Sequence, residues 1–271
     1  MGIWPLIYKK KVHIFRVDQT LTTKCTLNCT YCNMYMPYYD KPQHVNIEEL
    51  IGNQNKFLNM VDYVSTYHLI GGEPFLYPQL DTIITNIGEK YRDKIDNLIL
   101  TTNGTCKPKE STLRLLNKYD VYIAISNYSN TIPKIAKKVN SVIQKLKEYD
   151  VYYEDRNVDE WTDFGDPRIE NLFKDDSLIE HFDKCTAQYR GIDNNRFYYC
   201  NLSMSADESK IHNAEKDDYL LIDEIESKDE LIKFDLGFTP KGYISLCKRC
   251  NGCNTGINIP VTPEDQGLRE L

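Results

Sequence analysis

The chain has 271 residues, of which 41% are hydrophobic and 27% are charged, and its formal net charge is -7. This length and apolar content suffice for one large domain, or for one domain with a smaller appendage. The acidic balance excludes the broad basic surface of a typical nucleic-acid-binding protein, and no apolar run is long enough to span a bilayer. Residues 1–24 lack the apolar stretch of a signal peptide, so we expect a cytoplasmic protein.

From about His13 onward, short β-rich runs alternate with helix-like segments, which predicts βα units and a parallel sheet, an α/β architecture. The predicted strands cover residues 13–22, 64–70, 97–102, 121–126 and 151–154. One helix is predicted to begin after Asn46 as its N-cap, and the others cover residues 78–91, 110–119 and 133–149. These units fall short of the eight repeats of a closed (β/α)8 barrel.

The pattern changes after about residue 155. Residues 155–176 are acidic and turn-rich, which predicts a linker or a capping segment. Residues 191–200 predict a hairpin with an Asp193-Asn194-Asn195 turn, which brings Cys200 toward Cys185. Residues 219–234 predict an acidic amphipathic helix whose charges face solvent.

Three cysteines, Cys25, Cys29 and Cys32, lie in one short loop after the first predicted strand. Three thiolates can bind three irons of a cubane cluster and leave the fourth iron open for a small molecule. A zinc site is the alternative, but it usually has four ligands in separated pairs. A disulfide framework is disfavoured because the chain has nine cysteines, an odd count, and no secretion signal.

The spacing of this triplet, together with Gly71-Gly72-Glu73-Pro74 directly after the second predicted strand, resembles the radical S-adenosylmethionine (SAM) superfamily. The resemblance implies a partial (β/α)6 barrel and a 4Fe-4S cluster held by the three cysteines. It also implies that the open iron binds the amino and carboxylate groups of SAM. An electron from the cluster then releases a 5'-deoxyadenosyl radical.

The resemblance further implies a set of SAM contacts. Glu73 matches the residue that holds the amino group of SAM, and glycines at 71 and 72 let the backbone approach a ligand closely. Tyr31 matches the aromatic residue that packs on the adenine. Contacts to the methionine carboxylate or the ribose match Thr102, Asn103, Ser126 and Asn127. For the last two, an ordinary strand end is an equal alternative.

A second set of cysteines follows in the C-terminal half, and four of them can close a fully protein-ligated cluster: Cys185, Cys200, Cys247 and Cys250. This set resembles the shortened auxiliary-cluster domain, called Twitch, of SPASM/Twitch radical SAM dehydrogenases that act in aminocyclitol biosynthesis. A four-cysteine zinc site is the alternative. We therefore expect a barrel domain over residues 1–165, then a linker and an auxiliary 4Fe-4S domain over residues 166–271.

Two cysteines are left over, Cys106 and Cys253. Either is a candidate hydrogen-atom donor to a substrate radical, and Cys253 is also a candidate alternate ligand. A half-buried packing residue is the simpler interpretation of both. Trp161 and Asp163, in the segment expected to cover the barrel mouth, are candidate substrate contacts with packing as the alternative.

The resemblance implies oxidation of a secondary alcohol on a sugar or cyclitol to a ketone, with the auxiliary cluster as electron acceptor and flavodoxin or ferredoxin as reductant. Return of hydrogen to the opposite face of the carbon would instead make the protein an epimerase. A peptide-modifying radical SAM enzyme is a further alternative. A non-catalytic iron-sulfur or zinc scaffold would leave Gly72 and Glu73 without a role.

Overall fold

The computed structural model describes residues 11–170, 175–186, 189–253 and 258–260. Within these ranges the chain forms a central sheet of eight strands, most of which run parallel, and this confirms the predicted α/β class. None of the described helices is both long and apolar enough to cross a bilayer.

The first half of the chain alternates strands and helices as predicted. The strands are β1 (His13–Thr20), β2 (Tyr63–Ile70), β3 (Ile95–Thr102), β4 (Val121–Asn127) and β5 (Tyr153–Asn157). The helices are α1 (Ile47–Met60), α2 (Leu80–Lys90), α3 (Glu110–Lys118) and α4 (Ala136–Glu148). Asn46 caps α1 as predicted, because its side-chain oxygen accepts hydrogen bonds from the backbone amides of Glu48 and Glu49 at 2.8 and 3.2 Å.

The sheet grows in two directions from β1. On one side the strands follow chain order to β5, and on the other side β7 (Arg190–Asp193) pairs in parallel with β1. The sixth parallel strand therefore lies beside the first strand and not beside the fifth. A six-unit barrel was expected from the resemblance, and the number of parallel strands agrees with it, but the sequence offered no signal for where the last strand pairs.

The predicted hairpin is confirmed. Strand β7 pairs antiparallel with β8 (Arg196–Tyr198), and the two residues between them, Asn194 and Asn195, have φ values of 47° and 59°. Asparagine tolerates this left-handed conformation, which two-residue hairpin turns require. Strand β9 (Tyr219–Leu221) continues the same sheet. Strands on both sides of the predicted domain boundary at residue 165 thus share one sheet, and the boundary itself stays a prediction.

The helix predicted over residues 219–234 is wrong in its first half. Its first residues form β9, which pairs with β8, and α7 (Lys228–Asp235) begins only after Ser227, whose hydroxyl accepts a hydrogen bond from the backbone amide of Glu230 at 3.2 Å. Pairing with β8 satisfies the backbone of residues 219–221 and overrides the helical periodicity. The remaining elements are α5 (Asp175–Lys184), α6 (Asn201–Glu208), β6 (Glu160–Thr162) and β10 (Asn258–Pro260). Strand β6, which lies inside the segment expected to be a linker or a cap, forms a separate antiparallel pair with β10.

The carboxyl ends of the parallel strands meet at one edge of the sheet. The cysteine loop follows β1, Gly71 and Gly72 follow β2, Thr102 ends β3 and Asn127 ends β4. In parallel α/β sheets this edge carries the functional loops. The topology therefore brings most of the residues predicted from the first half of the chain to one place.

Candidate active site

A cavity of about 420 Å³ opens at this edge of the sheet. Several of the predicted site residues line it: Cys25, Cys29, Cys32, Gly71, Gly72, Thr102, Asn103 and Ser126. They come from the loops after β1 and β2 and from the ends of β3 and β4. The structure thus brings together the cysteine triplet and the glycine motif that the sequence pattern singled out.

Gly72 supports the cysteine loop through close backbone contacts. The next residue, Glu73, donates its backbone amide to the carbonyl of Lys24 at 2.9 Å. A Cβ on Gly72 would lie 2.9 Å from the Cβ of Cys25 and would overlap the Lys24 carbonyl. Only glycine permits this approach, so its role here is to bring the loop against the end of β2.

The three thiols of the triplet are free and half-buried. Burial raises the pKa of Cys25 to about 11 and the pKa of Cys29 to about 12, and the neighbouring thiols raise both further. Without a positive partner these groups are therefore protonated at neutral pH. Iron supplies the positive charge that stabilises thiolates, so three thiols that line one cavity, with no fourth cysteine among the lining residues, fit a cluster with one open coordination position.

Glu73 does not reach the cavity, contrary to the expected role as a direct contact to the amino group of SAM. Its side chain is fully buried, and its carboxylate accepts hydrogen bonds from the Thr102 hydroxyl at 2.8 and 3.0 Å and from the backbone amides of Asn103 and Phe75 at 2.9 and 3.1 Å. Burial raises the pKa of Glu73 to about 7, although these hydrogen bonds oppose the rise. The carboxylate therefore ties the end of β3 to the glycine motif.

Asn103 lines the cavity, but its side chain is also bound to the cysteine loop. Its Nδ2 donates to the hydroxyl of Thr26 at 3.0 Å and lies 3.6 Å from the sulfur of Cys25. The residue thus holds the loop after β1 against the end of β3. This internal contact adds a positioning role to the SAM contact expected from the sequence.

Three other predicted residues are not among the described residues that line the cavity. Tyr31 is half-buried, and Asn127 is buried with its amide donating to Asp155 at 2.8 Å. Cys106 is half-buried, and this position argues against its expected role as a hydrogen-atom donor to a substrate in the cavity. Asn127 acts as an ordinary strand end, which was the alternative weighed for it.

Several polar residues that line the cavity were not predicted, including Arg16, Asp18, His68 and Thr101. They lie on β1, β2 and β3, and their side chains contact one another below the cysteine loop. The sequence does carry a signal for the first two. Arg16 and Asp18 are charged residues at alternate positions of a predicted parallel strand, where charges are unexpected unless they face a polar interior.

The second set of cysteines also converges. One cavity is lined by Cys185, Cys200, Cys247, Cys250 and Cys253 together with apolar side chains. Burial raises the pKa of Cys200 to about 11 and the pKa of Cys250 to about 12, and none of the five cysteines forms a disulfide within the described ranges. Cys253 belongs to this group and is not among the lining residues of the first cavity, which argues against its expected role as a hydrogen-atom donor to a substrate there. Within the described ranges, no three metal-ligating side chains converge tightly enough to bind a single metal ion.

The two cavities are neighbours. Phe164 lines both of them, and Cys200, which lines the second, is followed directly by Asn201, which lines the first. The amide of Asn201 donates to Asp18 on β1 at 2.7 Å. The start of α6 therefore joins the cysteine-rich segment to the floor of the first cavity.

Trp161 on β6 lines the first cavity and stacks on Tyr128, with ring centroids 5.4 Å apart and an interplanar angle of 10°. The indole therefore packs on Tyr128 and also faces the cavity. Both interpretations of Trp161, as a packing residue and as a candidate substrate contact, are compatible with this position. Asp163 does not line this cavity, and its side chain accepts a hydrogen bond from the backbone amide of Gly165 at 2.9 Å.

Comparison with known families agrees with the position of the site. Residues 20–149 match the family model described as the Radical SAM superfamily. A GTP 3',8-cyclase of Nautilia profundicola is 30% identical over 158 residues, which are 52% of this chain and 44% of that relative. A GTP 3',8-cyclase of Rhizobium etli is 32% identical over 87 residues, which are 32% of this chain and 24% of that relative. The chain thus spans less than half the length of either relative.

One solved structure has a similar fold. Native anSMEcpe with bound AdoMet superposes with a TM-score of 0.56 at 15% identity, covering 87% of this chain and 84% of that chain. At this identity the similarity extends to the fold and does not identify a substrate. BtrN in complex with AdoMet and 2-DOIA gives a TM-score of 0.47 at 12% identity, covering 89% of this chain and 94% of that chain.

Proposed function

We propose that the protein is a radical SAM enzyme that oxidises a secondary alcohol of a small hydroxylated substrate to a ketone, and the match of residues 20–149 to the family model of the Radical SAM superfamily supports the first part of this proposal. The substrate class is a sugar or cyclitol. The substrate is bound in the cavity at the carboxyl edge of the sheet, next to the cysteine triplet.

Cys25, Cys29 and Cys32 would hold a 4Fe-4S cluster, and Gly71 and Gly72 leave the backbone open beside it. Such a cluster, when loaded with SAM, supplies a radical able to remove a hydrogen atom from an unactivated carbon. The protein's part is to hold the substrate in one orientation beside the cysteine triplet.

The observation that carries the assignment as a dehydrogenase is the contact between the two cavities through Phe164 and the Cys200-Asn201 pair. Four of the five cysteines in the second cavity are enough for a fully protein-ligated cluster, whose simplest use is as an electron acceptor. The oxidation would take a hydrogen atom from the carbon, and then a proton, which goes to solvent, and one electron from the resulting carbinol radical. Cys185, Cys200, Cys247 and Cys250 would hold the cluster that accepts this electron. Cys200 and Asn201 are adjacent in the chain and line the second and the first cavity, so the electron would have a short path between the two sites.

The curated relatives favour a second candidate function. Both are named as GTP 3',8-cyclases, and the match at 30% identity covers 52% of this chain. Cyclisation of GTP would use the same cavity and the same cysteine triplet. It differs in its substrate and in its product, so one assay separates the two functions.

The test is an anaerobic assay of the iron-reconstituted protein with SAM and a reductant, either dithionite or flavodoxin. Cyclitols, nucleotide sugars and GTP are offered in turn, and 5'-deoxyadenosine and product mass are followed together. A dehydrogenase forms deoxyadenosine in step with a product lighter by two hydrogen atoms. Unchanged mass with solvent deuterium on one carbon indicates an epimerase, and consumption of GTP indicates the cyclase.

The matched variants are the double variant Cys247→Ser/Cys250→Ser, which leaves three cysteines in the second cavity, and Cys106→Ser outside both cavities. We expect the double variant to keep formation of deoxyadenosine and lose the ketone, whereas Cys106→Ser keeps both. Absence of deoxyadenosine with every substrate would overturn the assignment as a radical enzyme. An undiminished ketone yield in the double variant would overturn the role of the second site.

A further inference from the structure

We infer that Thr101 and Asn201 form a subsite for a hydroxyl-rich substrate, with Thr101 donating and Asn201 accepting hydrogen bonds, and that Arg16, Asp18 and His68 hold them in place. All five residues line the first cavity, although they come from four separate elements of the chain. Arg16 and Asp18 lie on β1, and the others lie on β2, on β3 and at the start of α6. The inference rests on the proposed function and specifies which groups of the substrate the cavity recognises.

The proton positions follow from the partners of His68. Its Nδ1 lies 2.6 Å from Nη2 of Arg16 and 3.1 Å from Oδ1 of Asp18. A guanidinium can only donate, so the shorter contact requires Nδ1 to accept and places the ring proton on Nε2. The longer contact to the carboxylate then carries no hydrogen bond, because both atoms are acceptors.

The tautomer of His68 decides what the Thr101 hydroxyl does. Nε2 of His68 lies 2.7 Å from this hydroxyl, so with the proton on Nε2 the imidazole donates and the hydroxyl oxygen accepts. Among the described residues, the Thr101 hydroxyl has no other hydrogen-bond partner, and the residue is only half-buried at the cavity wall. Its own proton is therefore available for an oxygen atom of the substrate.

Asp18 fixes the orientation of Asn201 in the same way. Asn201 Nδ2 donates to Asp18 Oδ2 at 2.7 Å, and Arg16 donates to both oxygens of this carboxylate at 2.7 and 3.1 Å. A flipped amide would turn its oxygen against a carboxylate, so the observed orientation is the stable one. Burial alone would raise the pKa of Asp18, but the two hydrogen bonds and the charge of Arg16 lower it, so the carboxylate stays ionised at neutral pH.

This orientation leaves the amide oxygen of Asn201 without a partner. The atom is buried, the residue is 6% exposed, and no hydrogen bond to Oδ1 exists among the described residues. A buried carbonyl oxygen without a donor costs free energy, which a hydroxyl or amino group of a ligand can recover. A site with one available donor and one available acceptor fits polyols and amino alcohols, whose groups both accept and donate.

The first experiment determines the tautomer of His68. The full chain, reconstituted and oxidised, is labelled with ¹³C,¹⁵N-histidine, and the His68→Gln variant assigns the signal among the five histidines of the chain. We expect the chemical shifts of a neutral ring protonated on Nε2. A ring protonated on Nδ1 would overturn the inference, because Thr101 would then donate to His68 and not to the substrate.

The second experiment measures ligand binding without turnover. Myo-inositol, with cyclohexanol as the apolar comparison, is titrated into the reconstituted protein with SAM, and the fluorescence of Trp161 at the cavity wall reports binding. We expect Thr101→Val to weaken binding about tenfold, as loss of one hydrogen bond predicts, and Thr101→Ser to bind like the wild type. Equal binding by Thr101→Val, or no saturable binding of myo-inositol, would overturn the inference. Saturable binding without any ketone product would instead contradict the proposed oxidation and leave the subsite standing.

Discussion

The α-carbon of Gly72 lies so close to the backbone of Lys24 that a methyl group there would overlap the Lys24 carbonyl oxygen. The same loop carries the first cysteine of the triplet, and the Cβ of Cys25 would be 2.9 Å from the new methyl group. The position of the Cys25 thiol thus depends on the lack of a side chain at Gly72, which lies more than forty residues later in the chain.

We expect Gly72→Ala to displace the cysteine loop, to lower the free energy of unfolding by about 1–3 kcal/mol, and to remove most of the iron bound after reconstitution. Iron content per chain and urea unfolding measure both effects. Two other glycines provide controls. Gly88→Ala would overlap the ring of Tyr119 and should destabilise the protein with no loss of iron, whereas Gly52→Ala has open space and should gain about 0.5–1 kcal/mol. Full iron loading in Gly72→Ala would contradict this account.

We expect Thr102→Val to lower the free energy of unfolding by about 1–3 kcal/mol, because the buried carboxylate of Glu73 loses its hydroxyl donor. The substitution keeps the shape of the side chain, so the loss reports the hydrogen bonds. Urea unfolding at neutral pH is the measurement. Thr66→Val on β2 is the matched control, since no hydrogen bond to its hydroxyl is found in the described part of the chain, and equal stability of the two variants would contradict the prediction.

The second cavity holds one more thiol than a cluster needs. We expect the double variant Cys247→Ser/Cys250→Ser to lose about half of the bound iron, because the three cysteines that remain are too few for one of two fully protein-ligated four-iron clusters. Cys253→Ser should keep its iron, since the other four cysteines remain. Iron analysis and visible absorption after reconstitution distinguish these cases. If Cys253→Ser loses as much iron as the double variant, Cys253 is a ligand.

The stability of the protein should decrease in mildly acidic solution. Burial lowers the pKa of His68 below its ordinary value of 6.5, so the unfolded chain takes up a proton before the folded chain does. The contribution of His68 to stability is therefore complete above about pH 6.5 and is lost as the pH falls through its lowered pKa. His13, His44 and His212 shift in the same direction.

The measurement is the free energy of unfolding from about pH 7.5 to about pH 5.5 for the wild type and for His68→Gln. We expect a smaller decrease in the variant, because the other three histidines still titrate but His68 does not. An identical decrease in both proteins would show that His68 has the same pKa in the folded and unfolded states.

The local elements of the first half were predictable because their signals are local. Alternating apolar positions define β1 to β4, and Asn46 and the Asn194-Asn195 turn act through their own backbone neighbours. The helix predicted over residues 219–234 failed for the opposite reason. Its first residues pair with β8, a strand that the periodicity of residues 219–234 does not report.

The sequence by itself determined the cysteine triplet, the glycine motif and the alternation of strands and helices in the first half, because these signals lie within short stretches of the chain. Only the tertiary structure decided that β7 pairs with β1, that Glu73 is consumed by internal hydrogen bonds, and that Asn201 reaches Asp18 across the sheet. These contacts join residues far apart in the chain. Their formation depends on the packing of whole elements, which no short window of sequence records.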